Sequence, residues 1–493
     1  MATVHTHDLH FVMFPLMAQG HMIPMVDMAR ILAGRGVMVT VVTTPHIASR
    51  FKSVIARANE ANLKIQLLEL TLPLAEVGLP EDYNAFDRFL TPEDSAKLFA
   101  SIQLLEKPAE NLLRGLFPPP SCIISDFTFP WSTNVAQRLN IPRIVFHGPG
   151  CFWLLCTHVA FSSRILERIE SETERFVLPG LPDPVEVTKL QITGFGKAAT
   201  ASQMEFWFRA IQAEKSAHGI VIHTFEELES EYVKEIVKAK EKKVWCIGPV
   251  LLCNKDDLDV AERGNKAANV HDYLKWLDER EPGSVLYVCL GSVTTMSTEQ
   301  LIELGLGLES TKIPFIWCIK KKTEELEKWF SKEGFEARVR DRGLIVHGWA
   351  PQVLILSHPA VGGFLTHCGW NSTLESVCAG VPVVTWPHFA DQFLNETFVV
   401  EILKIGVRIG VEIPVYYTKD GDKMETLVKR EDVKIVIEQL MNDSEEGKQR
   451  RKRAIELAKK AKAAMEQGGS SYVNVSSLIQ DVAQAMTNKV GTT

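Results

Sequence analysis

Short apolar runs recur along the chain, separated by longer stretches in which apolar residues fall at helical spacing. In the first fifty residues the order is plain: 10–15 are apolar, 16–21 form a loop, 22–33 carry helical spacing and 38–43 are β-branched, with Gly34 and Gly36 stopping the helix. Runs at 122–125, 143–146 and 219–223 continue the pattern, and after a polar stretch it restarts at 285–290, 315–319, 344–346, 362–365 and 381–386. Strands linked through helices run parallel, because each crossover returns the chain to the same end of the sheet. The expected fold class is therefore α/β, with two domains of similar size facing across a cleft. Ligands of open parallel sheets sit outside the C-terminal strand ends, so the motifs at those ends matter most.

A length of 493 residues leaves room for two such domains, each with its own core. The 61 acidic and 54 basic residues give a net charge of −7 and are interspersed, so no basic field is offered to nucleic acid. Nine cysteines without paired C-x-x-C spacing suggest neither a disulfide framework nor a zinc site. The N-terminus has no basic leader, and the longest apolar stretch, 144–161, is broken by His147, Gly148, Pro149, Gly150 and His158, which suits a buried strand and turn better than a membrane span. A cytoplasmic monomer without stable membrane insertion is expected.

Three local patterns are set aside. Asp257-Leu258-Asp259 and Asp420-Gly421-Asp422 have the spacing of a metal-bridging pair but read as solvated loops. Gly305-Leu306-Gly307 is half a dinucleotide fingerprint, yet Leu301, Leu304 and Leu308 place it inside a helix. The basic run 449–462 reads as a solvated helix face, with Ala454, Leu457, Ala461 and Ala464 on its inner side.

The densest polar and aromatic clustering is WAPQVLILSHPAVGGFLTHCGWNSTLESVCAGVPVVTWPHFADQ, residues 349–392. A strand ending at Leu365 runs through Thr366, His367, Cys368 and Gly369 into a helix that begins near Asn371 and stops at Gly380. Such a helix aims unpaired N–H groups and a positive dipole end at whatever lies before it, so an anion, here a diphosphate, is expected there. His367, Asn371 and Ser372 can donate to its oxygens. Glu375 lies one turn after Asn371, where its carboxylate could accept from both ribose hydroxyls or, with Ser372, close a capping box. Trp349 precedes Ala350-Pro351, an extended dipeptide that would leave the Ala350 backbone to read a base edge while the indole stacks on its face, unless Trp349 is simply core.

This block resembles the signature box of plant family 1 UDP-glycosyltransferases, which adopt the GT-B fold of two Rossmann-like domains. The resemblance implies that Trp349 and Ala350 hold uracil, Glu375 the ribose, and His367, Asn371 and Ser372 the diphosphate, with Gln352, Gly369 and Gly20 in the same donor site. It implies that Trp370, Asp391 and Gln392 grip the sugar hydroxyls, and Gln at the last position goes with UDP-glucose as donor. Gly291-Ser292 is similar to the family's additional phosphate-contacting turn.

In the first half, His21 follows Gly20 where strand gives way to helix, and Asp126 ends an apolar run at an equivalent strand end. A helix N-terminus disfavours imidazolium, and a base near neutrality needs an orienting acid, although either residue alone could be structural. FPLMAQGHMIPM and CIISDFTFPW resemble the family's catalytic-His and catalytic-Asp segments. The implied reaction is metal-independent glucosyl transfer to an acceptor hydroxyl with inversion: His21 takes the proton, Asp126 steadies the imidazolium and UDP leaves.

By the same resemblance residues 1–250 form the acceptor domain, 251–269 a linker, 270–469 the UDP-sugar domain, and a closing helix within 470–493 crosses back to the first domain. Phe127, Phe152, Phe206, Trp207 and Phe389 are candidates for an acceptor pocket. The segment PLMAQGHMIPMVDMARIL resembles a subgroup acting on triterpenoids, flavonoids and plant hormones, and an apolar multi-ring alcohol, triterpenoid- or steroid-like, is the expected acceptor. Flavonoids, phenolics and hormones are the alternatives within the class. A nicotinamide oxidoreductase would need a glycine fingerprint where LMAQGH stands, and a noncatalytic nucleotide-sugar sensor would have lost the His21 and Asp126 pair.

Overall fold

The computed structural model describes residues 6–81, 91–193, 201–265, 269–291, 296–320, 323–417, 423–424 and 426–490. The chain divides into two units, Met1–Cys151 with Ala199–Lys255 and Lys462–Thr493, and Phe152–Ala198 with Asp256–Ala461.

The first unit is built on seven parallel strands: β1 (His10–Phe14), β2 (Met38–Thr43), β3 (Ile65–Glu69), β4 (Cys122–Asp126), β5 (Arg143–His147), β8 (Gly219–Ile222) and β9 (Lys243–Cys246), in the order β3-β2-β1-β4-β5-β8-β9. β1, β4 and β5 are buried along their whole length, as strands covered by helices on both faces must be, which is why they read as continuous apolar runs rather than alternating ones. Chain direction across the sheet reverses between β1 and β4, so the loops after these two strands diverge and leave a crevice at their C-terminal ends. The closing helix, Ser470–Val490, packs on this unit as the resemblance implied. Val475, Leu478, Ile479 and Val482 are buried, and Asn474 Nδ2 donates to Cys246 O at 3.1 Å.

The second unit has six parallel strands, β10 (Val285–Cys289), β11 (Phe315–Ile319), β12 (Gly343–His347), β13 (Val361–Thr366), β14 (Val383–Thr385) and β15 (Gly406–Arg408), in the order β12-β11-β10-β13-β14-β15. Its reversal lies between β10 and β13. A short antiparallel hairpin, β6 (Arg175–Val177) and β7 (Glu186–Thr188), also belongs to this unit. Two sheets of this winding are the pair of Rossmann-like halves expected of GT-B.

Several local readings are settled here. Gly305 and Gly307 sit inside the Thr298–Ser310 helix for packing, since a Cβ would lie 2.3 Å from the Trp329 ring at the first and 2.6 Å from Val433 at the second. The basic run lies on the Glu445–Met465 helix with Ala454, Ala461 and Ala464 fully buried beneath it. Asp257-Leu258-Asp259 departs from its loop reading: it forms a short helix, Asp257–Ala261, capped by Asp256, with Asp259 buried and Leu258 exposed. Asp420-Gly421-Asp422 lies outside the described residues. Among the described residues no His, Cys, Asp and Glu group is arranged to hold a metal ion, and no helix is long and apolar enough to cross a membrane.

Candidate active site

The first helix starts at Gln19, earlier than its apolar spacing suggests, with Ala18 as its N-cap, so His21 stands in the first turn rather than in a loop. That turn follows β1 at the reversal point, and Asp126 is the last residue of β4 beside it. The two side chains meet, with His21 Nδ1 2.6 Å from Asp126 Oδ2. Asp126 is only 2% exposed and His21 is 32% exposed. Burial pushes the Asp126 carboxyl up, but the His21 ring and two bonds from Thr128 outweigh it and hold the carboxyl below its usual range. Those bonds run from Thr128 N at 3.0 Å and Thr128 Oγ1 at 2.7 Å to Asp126 Oδ1. An ionised carboxylate only accepts, so Nδ1 carries the hydrogen and the ring's lone pair is on Nε2. Gly148, just after β5, lies beside the ring, where a Cβ would make ordinary contact with Nδ1 at 3.7 Å, and Gly20 has open space around its missing side chain. An oriented imidazole, half-exposed and backed by a buried acid, can remove a proton from a bound hydroxyl.

In the second unit the turn after β13 carries the polar block. Gly369 caps the Trp370–Ala379 helix and, among the described residues, no side chain does so. Ser372 is thus inside the helix, which rules out the capping-box role for Glu375. The imidazole of His367 fills the space where side chains on Gly291 and Gly369 would be: a Cβ would lie 2.6 and 2.4 Å from its Nε2. Glycine is therefore demanded by the ring at both positions, and at Gly291, with φ +84°, by the backbone as well. Burial drives the His367 pKa down to about 4, and its buried Nδ1 has no hydrogen-bond partner among the described residues. It is a neutral ring over the cellular pH range, suited to donating one N–H rather than carrying charge. Cys368 takes a left-handed conformation at φ +62°, and its carbonyl is held by Asn395 Nδ2 at 2.9 Å. Ala390, between Phe389 and Asp391, does the same at φ +56°. Both strained residues flank candidate ligand positions, where strain of this kind accumulates.

Glu375 is the hub of this turn. It accepts from Arg263 and, at 2.6 Å, from Gln352 Nε2, which also reaches Ser372 Oγ at 3.0 Å. Gln392 is buried, with Oε1 accepting from His388 N at 2.8 Å and Phe389 N at 3.2 Å, so its amide group is the part left to donate. Asp391 accepts from Asn395 Nδ2 at 2.7 Å. Trp349 is half-buried after β12, and the Ala350 carbonyl accepts from Gln352 N at 2.9 Å. Trp370 is buried near Phe398, ring centroids 6.1 Å apart. Asn371 is half-buried in the first turn. Ser292 lies outside the described residues.

The acceptor candidates separate. Phe127 stacks on Trp207 at 6.0 Å, and Phe206 joins them beside Phe99 at 4.7 Å, all in the first unit. Glu214, on the same Ala201–Lys215 helix, ties it to β5 through His147 Nε2 at 2.5 Å. Phe152 belongs to the second unit, 1% exposed against Phe398, and Phe389 is half-buried there. Sequence reading missed Thr128, Asn395 and Arg263. The D-x-T spacing after β4 could have signalled the first, and nothing local signals Arg263, which is 112 residues from its partner.

Comparison with known proteins follows the same division. The family described as glycosyltransferase, N-terminal domain, matches residues 7–251, and that described as UDP-glucoronosyl and UDP-glucosyl transferase matches residues 200–412. The chain is 64% identical over 483 residues to UDP-glycosyltransferase 73E1 of Stevia rebaudiana, covering 97% of each. Among solved structures it is similar to Glycyrrhiza uralensis UGT73P12 complexed with glycyrrhetinic acid 3-O-monoglucuronide, with TM-score 0.88, 36% identity and coverage of 98% of this chain and 97% of that one. It is also similar to Phytolacca americana UGT2 complexed with UDP-2fluoro-glucose and pterostilbene, with TM-score 0.75, 28% identity and coverage of 96% and 100%.

Proposed function

Because the chain belongs to the plant UDP-glycosyltransferases, enzymes that transfer a sugar from a UDP donor to a small molecule, we propose that it moves glucose from UDP-glucose to a hydroxyl of an apolar multi-ring acceptor, with inversion at the anomeric carbon. The observation that carries this reading is the His21–Asp126 pair, 2.6 Å apart at the sheet's reversal point. His21 Nε2 takes the proton as the acceptor oxygen attacks the anomeric carbon. Asp126 stabilises the imidazolium formed, and the bond to the UDP oxygen breaks. Charge on the departing diphosphate is met by the N–H groups opening the Trp370–Ala379 helix, by the neutral His367 ring and by the hydroxyl and amide of Ser372 and Asn371.

Gln392 supports glucose through its donor amide. The aromatic group Phe127, Phe206 and Trp207 supports an apolar acceptor, as does the glycyrrhetinic acid 3-O-monoglucuronide with which the Glycyrrhiza structure is complexed. The test is incubation with UDP-glucose and a panel of triterpenoid, steroid, flavonoid and phenolic alcohols, in the presence and absence of a chelator. A gain of one hexose in mass, a β linkage by NMR and indifference to the chelator are expected. UDP-glucose binding with no product on any acceptor would instead make the protein a nucleotide-sugar sensor.

A further inference from the structure

Glu375 lies where a ribose is expected, yet it is already held from two sides. Arg263 pairs with Oε1 and Gln352 Nε2 donates to Oε2 at 2.6 Å. The carboxylate and the guanidinium are each only 7% exposed. A carboxylate buried to this degree needs a compensating cation, and breaking such a pair is costly because it strands a charge. Arg263 comes from the segment after the Asp257–Ala261 helix, which packs on the Gln352–Ser357 helix, so cation and amide approach the same acid from neighbouring elements.

We propose that Arg263 is a positioning residue for nucleotide recognition: with Gln352 it fixes the plane of the Glu375 carboxylate so that the acid can accept from both hydroxyls of a ribose. A carboxylate offers about four lone-pair sites. Arg263 and Gln352 take one on each oxygen, which leaves one on each, the number and placement that a vicinal diol requires. Arg263 reaches Oε1 through Nη1 from a rigid, planar guanidinium, whereas a lysine would supply a mobile point charge with a less defined direction. The inference rests on reading Glu375 as the ribose residue.

Calorimetry on the full chain with UDP and with 2′,3′-dideoxy-UDP separates the two ideas. The unaltered protein should prefer UDP by roughly 100-fold or more, the value of two hydrogen bonds to a charged acceptor. Arg263→Met should reduce that preference to about threefold or less, and Arg263→Lys should retain an intermediate part of it. If Arg263→Met weakens both nucleotides equally and keeps the preference, Arg263 is structural and the proposal is overturned. Should that variant fail to fold, Arg263→Lys decides alone, since an undiminished preference there also overturns it. Glu375→Ala is the control: if it leaves the preference intact, the ribose reading itself is wrong, whereas its loss there with retention in the Arg263 variants faults only the present inference.

Discussion

His21 follows β1 at the reversal point of the first sheet, and His367 follows β13 at the reversal point of the second. The same side chain in matching places has opposite surroundings. His21 is one-third exposed and has a carboxylate 2.6 Å from Nδ1, a partner that stabilises the protonated ring. His367 is wedged between two glycines with no carboxylate bonded to it among the described residues, and burial holds it neutral down to about pH 4. An acid beside an imidazole makes it a proton acceptor; packing against two glycines with Nδ1 shielded from water makes it a fixed neutral donor. Two glutamates repeat the lesson. Burial pushes both upward, but His147 and Lys240 bring Glu214 down to about 2, while Glu396, with a threonine hydroxyl and Arg408 at 3.3 Å, rises to about 7.

The comparison breaks first at His21. His21→Ala should lower transfer by roughly a thousandfold or more while UDP affinity by calorimetry stays within about twofold; comparable turnover in that variant would strip the ring of its role as base. Asp126→Asn should cost about a hundredfold, because the ring loses its orienting anion and the imidazolium its counter-charge, and the acid limb of the kcat pH profile should move. In the second unit His367→Ala should spare the pH profile and weaken UDP binding by about tenfold, the loss of one hydrogen bond to a charged group. A shifted profile with undiminished affinity would reverse the two assignments.

The smallest effect concerns stability. The depressed His367 pKa means the folded state binds fewer protons than the unfolded one between about pH 6.5 and 4, so its contribution is present above 6.5 and lost on acidification. Glu396 has the opposite sign: its raised pKa gives stability present below about 4.5 and lost as pH rises through about 7. Glu396→Gln should therefore remove a decline on the order of 1 kcal/mol across that window, read as thermal melts at pH 5 and 7.5. Parallel melting curves for the two proteins would contradict it.

Much of this was legible in one dimension. Continuous apolar runs announced β1, β4 and β10; His21 and Asp126 were found from their position at strand ends, and the box opening at Trp349 from its dense polar and aromatic clustering. Gly305 and Gly307 were correctly placed in a helix by their leucine neighbours, although the reason for glycine there is Trp329 and Val433. Other features were not legible. The Asp257–Ala261 helix is short and polar, with too few apolar residues to show a period, and Phe152 looks identical in sequence whether it lines a pocket or, as here, packs on Phe398.

Most strands and helices depend on neighbours within a few residues, parallel polarity follows from the helices between successive strands, and the two catalytic candidates sit in short recognisable segments, so the order of amino acids alone made these legible. Which cation meets Glu375, why His367 stays neutral and why Asp126 stays ionised were decided only when the sheets formed. Electrostatic environment is a property of distance and burial, and folding brings together groups such as Arg263 and Glu375 that the chain keeps 112 residues apart.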